Sequence, residues 1–226
     1  MRSLIIIILA TLLFVSITFA GEFGPPEPVP DPGRASVGVG YFFDRTGLKQ
    51  DGVALKTKSN QYYIQADYSF VKDWEVYGRL GGADMVVHSR TTGQRFSDAA
   101  SVYGSLGLKG IAYQSGNFAV GPFVEGSLYG DHTNVATNQW DANVGVSAQY
   151  KVQGVTLYGG PFAYWHRADS QLAINPAVSQ DEIKERHNIG AFLGARVPVV
   201  SRKVFLTAEA QLKNKPGGGA SISYKF

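Results

Sequence analysis

Apolar and polar side chains alternate at every second position through most of the chain. In the segment 203–213, Leu206 and Ala208 lie on one face and Thr207 and Glu209 on the other. A period of two places successive side chains on opposite faces of a β-strand. The alternating segments end at Gly, Asn, Asp, Ser or Lys residues, most of which favour turns. The pattern therefore predicts an all-β chain built from strand–turn–strand units.

Ten segments follow this pattern, and the connections between them alternate in length. We predict strands at residues 35–44, 60–70, 74–86, 98–113, 117–131, 139–151, 154–167, 186–198, 203–213 and 219–226. The connections are short near 71–73, 114–116, 152–153 and 199–202 and long near 45–59, 87–97, 132–138 and 168–185. Short turns at one end and long loops at the other are typical of up-and-down membrane barrels, which have an even number of strands. We predict ten strands, with eight as the alternative.

Aromatic side chains gather near both ends of the apolar face when the strands are placed side by side. The predicted aromatic girdle consists of Trp74, Trp140, Trp165, Tyr68, Phe70 and Tyr150. Amphipathic rings favour the interfaces of a bilayer, whereas the strands of a soluble sandwich end without regard to aromatic position. Because an unpaired backbone group in hydrocarbon is costly, the sheet must close on itself. The prediction is a closed antiparallel up-and-down transmembrane β-barrel.

The first 34 residues differ in composition from the rest. Arg2, an apolar run, and the small residues Thr18 and Ala20 are typical of a secretory signal peptide, so residues 1–20 are predicted to be removed. Residues 21–34 are rich in proline and cannot join a β-ladder, so we predict a proline-rich periplasmic tether. Residues 35–226 are predicted to form one barrel domain.

Composition excludes several classes of function. The chain has no cysteine, which excludes disulfides, thiolate metal sites and a cysteine nucleophile. The formal net charge is only +3 and the basic residues are scattered, so we predict no binding of nucleic acid. Motifs for phosphate, zinc or a serine nucleophile are missing as well, and we predict neither a cofactor nor a metal site.

The last predicted strand, GASISYKF, places Ile222, Tyr224 and Phe226 on one face. This ending resembles the C-terminal signature of small bacterial outer-membrane β-barrels, the superfamily that includes the OmpA-like, OmpX-like and OmpW-like proteins. The resemblance covers residues 35–226 as a pattern, so no functional residue is carried over. It implies contact with outer-membrane lipid and lipopolysaccharide, and recognition of the last strand by the barrel-insertion machinery. The expected location is the outer membrane, with both termini periplasmic.

The faces predicted to point inward carry charges of both signs and large rings. The candidate lumenal charge network consists of Asp67, Glu75, Arg79, Lys109, Glu125, Asp141, Arg196 and Glu209. The inward rings are those of Tyr63, Tyr77, Tyr103, Phe123, Tyr129, Tyr158, Phe162, Tyr164, Phe192 and Phe205. Ten strands leave about 10 Å between opposing walls, which these rings would obstruct, so a wide porin is excluded. The charges could form a stabilising salt-bridge network or line a narrow path for ions and small solutes.

Two further functions stay open beside a non-enzymatic envelope or pore protein. All four histidines and several aspartates are predicted near the loop end, as in the omptin proteases, so a hydrolase that depends on His166 or Asp84 is one alternative. The sequence shows no close spacing that would pair such residues on one strand face, and we expect no enzyme. The loops at 45–59 and 168–185 are candidates for contact with an extracellular ligand, which would make the chain an adhesin or binding module.

Overall fold

The computed structural model describes residues 22–50, 53–89, 93–132, 135–171, 182–185, 187–200 and 202–226. In chain order the strands are β1 (Ala35–Gln50), β2 (Val53–Val71), β3 (Trp74–Ser89), β4 (Arg95–Gly110), β5 (Tyr113–Ser115), β6 (Phe118–Tyr129), β7 (Ala136–Val152), β8 (Val155–Ser170), β9 (Glu182–Glu185), β10 (Ile189–Val200), β11 (Val204–Leu212) and β12 (Pro216–Lys225). Among these residues there is no helix of the length and apolarity that crossing a membrane would need.

Ten of these strands form the wall of a closed antiparallel barrel, while β5 and β9 are short additions to it. Each wall strand pairs with its neighbours in the order β1, β2, β3, β4, β6, β7, β8, β10, β11 and β12. The ring closes because β12 returns to β1, where Val39 lies opposite Ile222. The prediction of a closed ten-stranded barrel is confirmed, and eight strands are excluded. We call the end that carries Ala35 and Phe226 the terminal end and the opposite end the loop end.

Several strands extend further than the sequence predicted. The segment 45–59 was predicted to be a long loop, but β1 and β2 stay paired up to Gln50 and Val53. The inward side chains of Leu48 and Leu55 on this extension are fully buried, and their burial stabilises the continued pairing of the two strands. The pairing continues although Gly, Asp and Lys residues interrupt the alternating pattern there. The loop predicted at 168–185 also contains part of β8 and all of β9. Its residues 172–181 lie outside the described part of the chain.

The short strand β9 joins the wall at the loop end. It lies between β8 and β1, with Ile183 opposite Ala168 and Lys184 opposite Lys49. The Ile183 side chain is completely buried, in a cluster of apolar side chains at this end. We call this the loop-end cluster, which consists of Leu48, Leu55, Met85, Val87, Val135, Ala136, Ala168 and Ile183.

The outer surface of the wall is apolar. Ile64, Leu80 and Leu128 are each at least 65% exposed, which suits contact with lipid and not with water. Five of the six side chains assigned to the girdle are exposed on this surface, namely Tyr68, Phe70, Tyr150, Trp140 and Trp165. The sixth, Trp74, is less exposed than these five, because its ring packs against Gly110 on the next strand. The side chains of the C-terminal signature, Ile222, Tyr224 and Phe226, also point outward.

Inward tyrosines pack over glycines of the neighbouring strands. Tyr77 on β3 lies opposite Gly107 on β4, and a Cβ added to this glycine would lie 2.2 Å from Cζ of the tyrosine. Tyr63 over Gly40 and Tyr158 over Gly194 repeat the arrangement. The missing side chains give the rings room to lie along the wall, so the lumen can hold more than one layer of aromatic groups.

Replacing Gly107 with alanine should therefore destabilise the barrel by about 1–3 kcal/mol, because the Tyr77 ring would have to leave its packed position. The change is measured by the urea midpoint of unfolding in detergent micelles. Gly126→Ala is the matched control, since an added Cβ there meets nothing within 4 Å. Equal midpoints for the two variants would contradict this packing argument.

Candidate functional site in the barrel lumen

The segment before β1 lies inside the barrel. Residues 22–30 are buried or half-buried in the lumen, whereas residues 31–35 are exposed at the terminal end, where the chain enters. We call residues 22–30 the N-terminal plug. The sequence predicts a proline-rich tether over residues 21–34, whereas residues 22–30 pack inside the barrel. Proline keeps them out of the strand ladder, but their extended backbone can hydrogen-bond to side chains that line the lumen.

An aromatic side chain anchors the plug. The ring of Phe23 is stacked on Phe123 at a centroid distance of 4.3 Å. Phe162 and Phe192 meet it edge-on at 4.9 and 5.2 Å. Edge-to-face and offset contacts of this kind are favourable beyond the apolar area that they bury. Phe23 therefore fills the middle of the lumen, where the sequence had predicted only side chains from the wall.

Two carboxylates of the wall bind backbone N–H groups of the plug. Glu209 on β11 accepts hydrogen bonds from the amides of Phe23 at 3.1 Å and Gly24 at 2.9 Å. Glu75 on β3 accepts one from the amide of Val29 at 2.7 Å. Hydrogen bonds to charged groups are the stronger kind, and here each also satisfies a buried carboxylate.

Three cations of the wall bind carbonyl oxygens of the plug. They approach from β3, β4 and β10 and donate through the ammonium or guanidinium group. Arg79 donates to Glu22 O, Lys109 to Phe23 O at 3.1 Å and Arg196 to Glu27 O at 3.0 Å. The plug is thus held by charges of both signs.

The eight charges predicted for the lumen all lie on its inner wall, but they have different partners. Glu75, Arg79, Lys109, Arg196 and Glu209 contact the plug. Buried ion pairs join Arg79 to Glu125 at 2.9 Å and Lys109 to Glu75 at 3.1 Å. Asp67 accepts from the Ser36 hydroxyl at 2.6 Å, and Asp141 belongs to a separate group nearer the loop end.

A chamber lies between the plug and the loop-end cluster. It is a cavity of about 30 Å³. We call it the loop-end chamber, and its polar lining includes Asp44, Gln61, Tyr129, Gln139, Asp141, Tyr164, His166 and Lys213. A smaller cavity of about 20 Å³ lies between Phe23 and Asp141. The polar groups of the chamber are therefore separated from the terminal end by the plug.

An aspartate and a histidine meet in this chamber. Asp141 on β7 lies opposite His166 on β8, with 2.5 Å between Oδ1 and Nδ1. The Tyr129 hydroxyl donates to the same carboxylate at 2.6 Å. Lys213 pairs with Asp44 at 3.4 Å. Sequence spacing could not indicate the Asp141–His166 pair, because its members lie on different strands and meet only through the register of β7 and β8.

The other rim residues form no comparable group. Asp84 accepts hydrogen bonds from the Asn60 backbone and side chain. His132 contacts the Ser101 hydroxyl at 3.2 Å through Nε2, but no side chain of the described residues bonds its Nδ1, where a hydrolytic triad needs a carboxylate. The described part of the chain contains no cluster of three or more metal-binding side chains.

Comparison with known proteins supports the fold. No protein-family model and no curated protein matches the sequence. An outer-membrane channel from Pseudomonas putida F1 is similar in structure, with a TM-score of 0.51, 12% identity, and coverage of 90% of this chain and 98% of that chain. The translocator domain of the autotransporter NalP from Neisseria meningitidis covers 87% of this chain and 90% of its own, at 13% identity and a TM-score of 0.44. The chain has the fold of the small outer-membrane β-barrels, as the sequence resemblance implied.

Proposed function

We propose that this protein is an outer-membrane channel for ions or small solutes, held closed by its own N-terminal plug. The observation that carries the proposal is the way the plug is bound. Its backbone bonds to charged side chains of the lumen wall, among them Glu75, Lys109 and Glu209. Water can replace each of these bonds, whereas it cannot replace the strand pairing of the wall in lipid.

The energetics favour a plug that can leave. A hydrogen bond to a charged group contributes about 1.5–3 kcal/mol to stability, since water competes for both partners. Withdrawal of the plug would admit water to Glu75, Glu209 and Arg196, and hydration would compensate the bonds that they lose. The same charges would then line a narrow path from the terminal end to the chamber, since the inward rings of the wall still occupy part of the roughly 10 Å between opposing walls. The loop-end cluster would form a second constriction. Its apolar side chains would exclude water and so close the path to ions.

The orientation and the neighbour are consistent with this proposal. Short turns face the periplasm in outer-membrane barrels, so the terminal end and the plug would lie on the periplasmic side and the loop end outside. The barrel from Pseudomonas putida F1 is named as a channel. Its likeness is one of fold, and function comes from the site, so the argument rests on the lumen.

Two other functions make different predictions. A structural envelope barrel would keep its plug permanently and never conduct. A hydrolase would use the Asp141–His166 pair, and detergent-purified protein would lose substrate turnover on His166→Ala. We expect no turnover, because these two residues are not accompanied by an activated nucleophile among the described side chains of the chamber.

A reversible cross-link tests the channel directly. Glu27 of the plug and Gln149 of β7 contact each other, with 3.2 Å between Nε2 of Gln149 and Oε2 of Glu27. The chain has no cysteine, so the double variant Glu27→Cys, Gln149→Cys introduces its only two thiols. The oxidised protein should be silent in a planar bilayer, and a reducing agent should restore the openings shown by the wild type.

The single variants Glu27→Cys and Gln149→Cys are the controls, and reducing agent should not change their conductance. Silence of the wild type and of the reduced double variant at every voltage would favour the structural barrel. Equal conductance of the oxidised and reduced forms would place the path outside the plugged lumen.

A further inference from the structure

We propose that the loop-end chamber is a binding site for the ammonium group of a small primary amine. Four buried polar side chains converge on this cavity, and each has an atom without a hydrogen-bond partner among the described residues. These atoms are Gln61 Oε1, Gln139 Oε1, Tyr164 Oη and His166 Nε2. All four side chains belong to residues no more than 9% exposed. Buried polar atoms are normally satisfied, so four in one cavity indicate a ligand that binds there.

The unpartnered atoms are mainly acceptors. The side-chain N–H of Gln61 donates to the Tyr129 hydroxyl at 3.2 Å, which leaves the amide oxygen as an acceptor. Gln139 Oε1 is a second acceptor, and the Tyr164 hydroxyl can accept as well. Nδ1 of His166 contacts the Asp141 carboxylate, and its Nε2 has no partner among the described residues. The chamber therefore fits a ligand that donates several hydrogen bonds from one atom.

The charges of the chamber favour a cation. Asp44 and Asp141 supply two carboxylates, against the single ammonium group of Lys213. Burial alone would lower the pKa of Lys213, but Asp44 and Asp141 outweigh it and hold that pKa above its ordinary value. Among the charged side chains of Asp and Lys that line the cavity, the two carboxylates outnumber the one ammonium group. Outside the lining, Glu185 accepts a hydrogen bond from the His166 amide at 2.9 Å.

The volume of the cavity distinguishes between cations that donate several hydrogen bonds. A cavity of about 30 Å³ accommodates a group of the size of one or two water molecules. An ammonium group has this size and three N–H donors, whereas a guanidinium group or a monosaccharide is larger. Tyr129 and Tyr164 also line this cavity, and the ammonium group of Lys213 lies over the Tyr164 ring at 5.3 Å from its centroid, which shows that a primary ammonium group fits beside these side chains. The residues of this site are not those that bind the plug, so binding of the amine and conduction are tested separately.

The test uses the refolded full-length protein in detergent and isothermal titration with ethylammonium as the probe. We expect saturable binding of ethylammonium, and no binding of tetramethylammonium, which has the charge but no N–H donor. Acetate and glucose should not bind either. Equal heats for ethylammonium and tetramethylammonium, or saturable binding of glucose, would overturn the proposal. This comparison needs no variant, so its outcome does not depend on the folding of a mutant.

Variants then locate the site. Gln61→Leu and Gln139→Leu should each weaken ethylammonium binding about tenfold, because each removes one acceptor to a charged donor. Gln114→Leu removes the same amide from an exposed position on β5 and should leave the affinity unchanged. Retention of full affinity by both chamber variants, with native strand content by circular dichroism, would show that ethylammonium binds elsewhere and would overturn the assignment.

Discussion

Protein refolded from residue 31 onward should conduct current in discrete steps under conditions in which protein that begins at residue 22 is mostly closed. The shortened chain lacks the whole N-terminal plug, including the Phe23 ring that fills the middle of the lumen. Its wall is intact, because β1 begins at Ala35. The lumenal carboxylates and cations that bound the plug would then be solvated and would line the open path.

Conductance in planar bilayers measures this effect, and the outward substitution Ile64→Ala in the longer protein is the control, which should stay closed. A shortened protein that folds but stays silent would indicate closure by the loop-end cluster, which Ile183→Ser in the same background would relieve. Silence of both shortened forms would contradict a path through the barrel.

Replacing Arg79 with alanine should reduce the free energy of unfolding by about 3–5 kcal/mol, since it leaves a buried charge without its partner. Arg79 pairs with Glu125 at 2.9 Å and also donates from Nε to Gln65 Oε1 at 2.7 Å. Its guanidinium lies over the rings of Tyr63 and Tyr77. The carboxylate of Glu125 would retain its hydrogen bond from the hydroxyl of Tyr77, at 2.7 Å, without its cationic partner.

Urea unfolding in micelles measures the loss for Arg79→Ala. The exposed Arg95 is the matched control, and its replacement by alanine should change the free energy of unfolding by no more than about 0.5 kcal/mol. The double variant Arg79→Ala, Glu125→Ala should recover part of the loss, because it removes the unpaired charge as well. Similar midpoints for the Arg79 and Arg95 variants would show that the lumenal ion pair does not contribute to stability.

The alternation of side chains was sufficient to predict the barrel and the two faces of its wall. Tyr77 and Glu209 were placed inward and Ile222 outward because a period of two leaves no other arrangement once one face is assigned to lipid. The alternation of apolar and polar positions makes no prediction for residues outside the strands. The pattern therefore predicts an external tether for the proline-rich residues 21–34, although Phe23 beside the charged Glu22 resembles the lumen wall in composition.

The Asp141–His166 pair shows a second limit of sequence patterns. Its formation depends on the register between β7 and β8, which the turn at Gln153 and Gly154 sets, since pairing runs without a shift from Val152 opposite Val155 to Asp141 opposite His166. Both turn residues adopt left-handed backbone conformations, with φ of 50° and 87°. The sequence predicts this turn at 152–153, and a turn displaced by one residue changes every pair of the hairpin. The contact could therefore not be derived from the spacing of polar residues along one strand.

The pairing of the first wall strand with the last has a consequence for biogenesis. Ser36 to Phe43 of β1 have their partners in Gly218 to Lys225 of β12, so this edge of β1 has no partner until β12 folds against it. A chain whose β12 has not yet docked presents that edge to other chains or to proteases. Because unpaired backbone groups are costly in hydrocarbon, insertion into lipid favours chains in which the first and last wall strands have already met.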